Sequence, residues 1–143
     1  MSRYNVIDIA NYVVSKSQEY ESPITNLQLQ KILYFLWIKY YVETGYELFD
    51  ENFFAWQLGP VIPQIYMEYR DYGSQPICNV QAKPIISKDE NILNPLIKKY
   101  SLTSTYDLVE QSHISGGAWD TIYRKGRGDR YLIPFSLIKE KCR

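Results

Sequence analysis

Apolar residues between Asn5 and Ser17 recur at spacings of three and four, through Val6, Ile9, Ala10, Val13 and Val14, which predicts an amphipathic first helix with one buried stripe. The next apolar run is different. From Leu27 to Val42 it includes Leu29, Ile32, Leu33, Tyr34, Phe35, Leu36, Trp37, Ile38, Tyr40 and Tyr41 and leaves almost no polar face. This second helix, placed at about 25–43, is expected to run through the centre of the fold. Thr25 reads as its N-cap, Gln28 as the return half of a capping box, and Ile24 with Leu29 as a hydrophobic staple. Gly45 supplies a left-handed stop.

Beyond Gly45 the periods shorten. Phe53–Leu58 is aromatic and bounded by Gly59-Pro60, which suits a short strand or extended segment. Pro60 and Pro63 precede a helical period running through Ile65, Tyr66, Tyr69 and Tyr72 to Gly73. Residues 74–86 contain Pro76 and Pro84 and show no helical period. Ser87 with Glu90 predicts a second capping box and a helix through Tyr100, and Ser104 with Asp107 a shorter helix to about His113. Gly116-Gly117 breaks the chain before a turn or two at Ala118–Tyr123, ended by Gly126. Tyr131–Pro134 reads as extended, and Ser136 as the cap of a last helix, Leu137–Lys141. The expected fold is mainly α: a single compact helical domain over residues 1–143, around a central buried helix, with one or two short strands or extended segments.

A chain of 143 residues is long enough for one real core and short for two. Tyrosine is unusually frequent: fourteen Tyr, three Trp and five Phe make 15% of the chain aromatic. Most of these rings belong to a core boundary, but part can form a contact surface, because Tyr and Trp bring large area at little entropic cost. Sixteen basic and sixteen acidic residues cancel, which argues against nucleic acid or an anionic membrane as the main partner. The charges are nevertheless segregated. Six acids stand against Arg70 between Tyr41 and Tyr72, whereas Ala118–Arg143 carries seven bases and three acids.

The chemistry-bearing residues are few. One His and two Cys, with no CxxC pair, do not supply a zinc site, and no cofactor motif is present. His113, near Ser112 and Ser115, lacks a nucleophile-elbow context and reads as a helix C-terminal residue bonding free carbonyls, so the chain is expected not to be an enzyme. Neither Gly59-Pro60 nor Gly116-Gly117 has phosphate-loop spacing. Arg124, Lys125, Arg127 and Arg130, set between Tyr123 and Tyr131, are the alternative nucleic-acid site, for a DNA-binding regulator; a solvated polar loop is the simpler reading. No signal-peptide pattern and no apolar stretch of about 18 residues point to a cytoplasmic protein without a membrane partner.

Two stretches carry a family resemblance. Ile24-Thr25-Asn26-Leu27-Gln28-Leu29-Gln30-Lys31-Ile32-Leu33-Tyr34-Phe35, and then Leu48-Phe49-Asp50-Glu51-Asn52-Phe53-Phe54-Ala55-Trp56-Gln57-Leu58-Gly59-Pro60-Val61-Ile62-Pro63, resemble the two hallmark segments of Panacea-domain, SocA-like antitoxins. Ser112-His113 followed by Trp119, and Ile133-Pro134 before a terminal helix, are similar to the family's later segments. Leu58 departs from the usual aromatic before Gly-Pro, and Gly116-Gly117-Ala118 stands where a proline usually precedes the Trp. The resemblance implies a protein that neutralises a toxin encoded beside it by direct binding, with delivery of that toxin to a protease as one known mode. It also implies phage-associated relatives, so a mobile-element inhibitor of a host factor is the alternative within binding proteins. On this reading the partner surface comprises Trp56, Gly59, Pro60, Tyr66 and Trp119.

Overall fold

A computed structural model describes residues 2–142; Arg143 of the basic tail lies outside the described residues. The first helix, α1 (Val6–Glu19), buries Val6, Ile9, Ala10, Val13 and Val14, the stripe read from the sequence. The second, α2 (Asn26–Thr44), begins at Thr25 with both halves of the capping box formed and ends at Gly45 in the left-handed region. Ile24 and Leu29 are both fully buried. Helix α2 packs against α1 and against elements later in the chain, so its lack of a polar face reflects real enclosure.

Strands β1 (Phe53–Trp56), β2 (Gly59–Val61) and β3 (Leu132–Ile133) form an antiparallel sheet in the order β2-β1-β3. This is one strand more than expected. The register pairs Trp56 with Gly59 and Ala55 with Pro60, making Gln57-Leu58 a two-residue hairpin turn, while β3 pairs with β1 through Phe53 and Ile133. The hairpin leads into α3 (Pro63–Glu68), which has Pro63 in its first turn as expected. The helical period does not continue unbroken to Gly73. It stops at Tyr69, a buried residue whose hydroxyl donates to Asn11 on α1, and resumes as a single 3-10 turn at Arg70–Tyr72.

Helices α4 (Ser87–Ser101), α5 (Thr105–Ser112), α6 (Ala118–Tyr123) and α7 (Phe135–Lys141) complete the fold. Two expected caps are corrected. Ser87 lies inside α4, the N-cap is Ile86 and no side chain caps it. Instead the Ile86 N–H donates to the Tyr4 hydroxyl at 3.2 Å, and buried Asp89 in the first turn accepts from the hydroxyls of Tyr4 (2.5 Å) and Tyr40 (3.0 Å). A carboxylate near a helix N-terminus is favoured by the helix dipole, and here tyrosines from outside α4 complete its bonding. Ser136 likewise does not cap α7, which starts two residues earlier than expected, at Phe135 after Pro134, with the Phe135 ring stacked on Trp37 at 4.7 Å. Ser104 does cap α5, accepting from the Asp107 N–H.

The tyrosine–Asp89 arrangement has a measurable weight. Tyr40→Phe removes one hydroxyl donor to a buried carboxylate without changing ring packing. A hydrogen bond to a charged group contributes roughly 1.5–3 kcal/mol, so urea unfolding should show a loss of about 1.5 kcal/mol. An unchanged midpoint would mean that Asp89 is adequately satisfied by Tyr4 alone.

Candidate aromatic interaction site

The sequence places three polar side chains, Asn26, Gln30 and Lys31, on a helix that is otherwise apolar all round. All three are buried, and each reads backbone on the hairpin or α3. The Asn26 amide donates to the Tyr66 carbonyl at 2.9 Å. Gln30 donates to Asn26 Oδ1 at 3.0 Å and accepts from the Ile62 N–H at 2.9 Å. Lys31 Nζ donates to the Pro60 carbonyl at 2.8 Å. Buried polar groups must be paired: Lys31 satisfies a carbonyl of β2, while Gln30 and Asn26 hold the chain just after it, at Ile62 and Tyr66. They were the functional residues missed in the sequence, although their isolation within an apolar helix was a usable signal.

Gly59 has φ +117°, and a Cβ there would stand 2.6 Å from Ser112 Oγ and 2.8 Å from Lys31 Cε. The hairpin is therefore pressed onto α2 and α5 at a point where only glycine fits without displacement. Gly59 and Pro60 are both buried, and they support the site through the hairpin, where Gly59 pairs with Trp56.

Beside the hairpin Trp56 and Tyr66 meet edge to face, with ring centroids 5.2 Å apart. The Arg130 guanidinium stands 4.2 Å from the Trp56 ring centre, a cation–π placement. These residues line a groove of about 490 Å³ that also includes Leu27, Leu58 and Val61. Leu58 is 50% exposed, Tyr66 38% and the neighbouring Met67 51%.

Trp119 is placed differently. It is only 6% exposed, and its indole N–H donates to the Trp56 carbonyl at 2.8 Å. Its ring stacks on His113 at 3.7 Å and on Tyr123 at 4.5 Å. Trp119 thus holds the backbone of the groove from behind. The structure brings Trp56 and Tyr66 together at the surface and sets Gly59, Pro60 and Trp119 beneath or behind them.

His113 also departs from the expectation of a ring bonded to free helix carbonyls. Its backbone caps α5, while the ring lies flat on Trp119 and its Nε2 is buried with no hydrogen-bond partner among the described residues. Burial, followed by the nearby Lys31, lowers its pKa, and a bond to the Leu58 carbonyl opposes that shift. Ser112 donates to the Val109 carbonyl at 2.8 Å. Among the described residues no group of His, Cys, Asp and Glu could hold a metal ion, and no helix is long and apolar enough to cross a membrane.

The basic segment is an ordered loop with exposed side chains at Arg124, Lys125, Arg127 and Arg130. Arg124, Lys125 and Arg130 adopt positive φ, and Gly128 packs so closely on the Ile122 carbonyl that a Cβ would lie 1.9 Å from its oxygen. The Arg130 N–H donates to the Ala55 carbonyl, tying the loop to β1 and aiming Arg130 at Trp56. One of the four alternative nucleic-acid residues therefore belongs to the aromatic groove. The segregated charges meet at a single ion pair among the described residues, Lys139 to Glu47 at 2.8 Å.

The family model for "Antitoxin SocA-like, Panacea domain" matches residues 29–120. Antitoxin SocA of Caulobacter vibrioides (strain NA1000 / CB15N) is 36% identical over 127 residues, which cover 80% of this chain and 68% of that protein. No solved structure matches.

Proposed function

Because the chain belongs to the SocA-like, Panacea-domain antitoxin family, we propose that it neutralises a toxin by direct protein contact, with the Trp56–Tyr66 groove as the contact surface. The observation that carries this reading is the hold on the backbone that carries both rings. Asn26 holds the Tyr66 carbonyl and Trp119 holds the Trp56 carbonyl, so two large amphipathic rings are presented at the surface with their backbone already fixed. Preorganisation of this kind lowers the entropic cost of association, and Trp, Tyr and Arg are the residues most enriched at interface hot spots. Leu58 adds exposed apolar area in the same groove. Gly59, Pro60 and Trp119 act as supports of the surface. The role is binding, with His113 serving packing.

The test is co-expression with the product of the adjacent gene, scoring growth rescue and co-purification. The wild-type chain should rescue growth and form a complex. Trp56→Ala is expected to weaken that complex by about 2 kcal/mol, the threshold for a hot spot, or roughly 30-fold in Kd, while circular dichroism shows the fold intact. Rescue by a folded Trp56→Ala, Tyr66→Ala double variant at wild-type level would remove the groove from the interface. Toxin lifetime in cells with and without active proteases distinguishes neutralisation by occupancy from delivery to a protease.

A further inference from the structure

A second groove shares no lining residue with the Trp56–Tyr66 site. It has a volume of about 400 Å³, and its floor is built from the buried side chains of Tyr34, Phe35, Tyr100 and Ile138. Phe35 and Tyr100 stack there at 5.3 Å. At its edge Ile114 is 66% exposed.

Its charge is one-sided. Lys39, Lys99 and Lys141 line the groove, and no Asp or Glu side chain does. The three lysines come from three different helices, α2, α4 and α7, so their convergence is a property of the fold and not of a local sequence run. All three are exposed, and none forms an ion pair with a described residue. Lys99 Nζ stands 5.5 Å from the Tyr100 ring centre, and an apolar floor edged by cations that no described carboxylate neutralises suits a ligand with an apolar anchor flanked by negative charge. Because the charges stand on separate helices, a chain with several spaced carboxylates meets them better than a single small anion.

We propose that this groove is a second docking surface, which takes an acidic polypeptide segment of a partner protein, with an aliphatic or aromatic side chain seated over Phe35 and Tyr100 and carboxylates facing Lys39, Lys99 and Lys141. This surface is independent of the groove assigned to the toxin, and its failure would leave that assignment intact.

The experiment is selection of a random-sequence displayed peptide library on the full chain, followed by fluorescence anisotropy of the recovered peptides. The expected result is enrichment of peptides with Asp or Glu flanking an apolar residue. Their affinity should fall about tenfold or more for the Lys39→Glu, Lys99→Glu, Lys141→Glu variant, weaken with added salt, and stay unchanged for Trp56→Ala. All three substitutions are at exposed positions, and a Phe35→Ala variant, checked for folding, supplies a second loss through the floor. Peptides without acidic enrichment, or acidic peptides that ignore the charge reversal, overturn the proposal. So does binding of phosphatidylserine vesicles that depends on the three lysines with no acidic peptide recovered, which would make the patch a membrane-surface contact.

Discussion

Replacing Gly59 with alanine is expected to destabilise the fold by about 3–5 kcal/mol. Two costs combine. At φ +117° an L-residue occupies a sparsely populated backbone region, at roughly 1–3 kcal/mol. The new methyl also enters space held by Ser112 Oγ and Lys31 Cε, and overpacking of a filled site adds about 1–3 kcal/mol. Those neighbours are side-chain atoms, but neither is free to move. Ser112 is tied to the Val109 carbonyl and Lys31 to the Pro60 carbonyl, and both residues are buried. Against a total of about 5–15 kcal/mol for a domain of ordinary stability, such a loss is a large fraction. It should appear as a strongly lowered urea midpoint with the slope retained. A change below about 1 kcal/mol would show that the hairpin can lift from α2 at little cost. Since Trp56 pairs directly with Gly59, toxin binding should fall with stability at this position, whereas at Trp56 itself the two effects separate.

The contrast between Thr25 and Ser87 shows what local sequence can and cannot specify. Both stand three residues before a Gln or Glu, yet only Thr25 caps a helix. Around Thr25 the decisive contacts lie within three residues. Around Ser87 they come from Tyr4 and Tyr40, 85 and 49 positions from Asp89, and such tertiary bonding overrides a local capping pattern. Strand β2 was illegible for the same reason. Gly59-Pro60-Val61 has little intrinsic strand preference, and its position is held by Lys31 at Pro60 and by Gln30 at Ile62 just beyond it, both from the preceding helix α2. By comparison α2 was readable along its whole length, because enclosure on every side writes itself directly into composition.

The site was legible in the same proportion. Trp56 and Tyr66 follow from an aromatic-rich hallmark segment and do meet at the surface. Trp119 came from the same resemblance, but its role as a clamp depends on a hydrogen bond across 63 positions. The basic loop was visible as charge, whereas its connection to the groove through Arg130 rests on the loop's positive-φ path and its bond to Ala55.

The remaining prediction concerns Lys31, a residue with no solvent exposure. Burial alone lowers its pKa to about 7, with no carboxylate contributing. In the unfolded chain a lysine titrates near 10.4. Between pH 7 and 10 the unfolded state therefore holds a proton that the folded state has released, and linkage requires stability to rise with pH at up to about 1.4 kcal/mol per unit. Below pH 7 both states are protonated at this site, and the burial cost is present in full. His113, whose pKa is also lowered, acts below about pH 6.5 and leaves this window clear. Tyrosines set the upper limit. Tyr4, Tyr12 and Tyr40 are pushed up to about 12, with burial the first cause in each, so above pH 10 the unfolded chain loses their protons first and stability falls again. Unfolding measured from pH 7 to 9.5 should thus climb by a few kcal/mol in the wild type and stay nearly flat in Lys31→Met. At pH 7 the variant loses the bond to Pro60 but no longer buries a titrating ammonium without a counter-charge; even buried ion pairs, whose charges compensate one another, are often replaced by apolar residues with an effect from neutral to a gain of about 1–4 kcal/mol. A gain of about 2 kcal/mol is expected. A variant that keeps the wild-type slope would place the titration elsewhere, and one that is less stable at every pH would show that fixing the Pro60 carbonyl outweighs the cost of the buried amine.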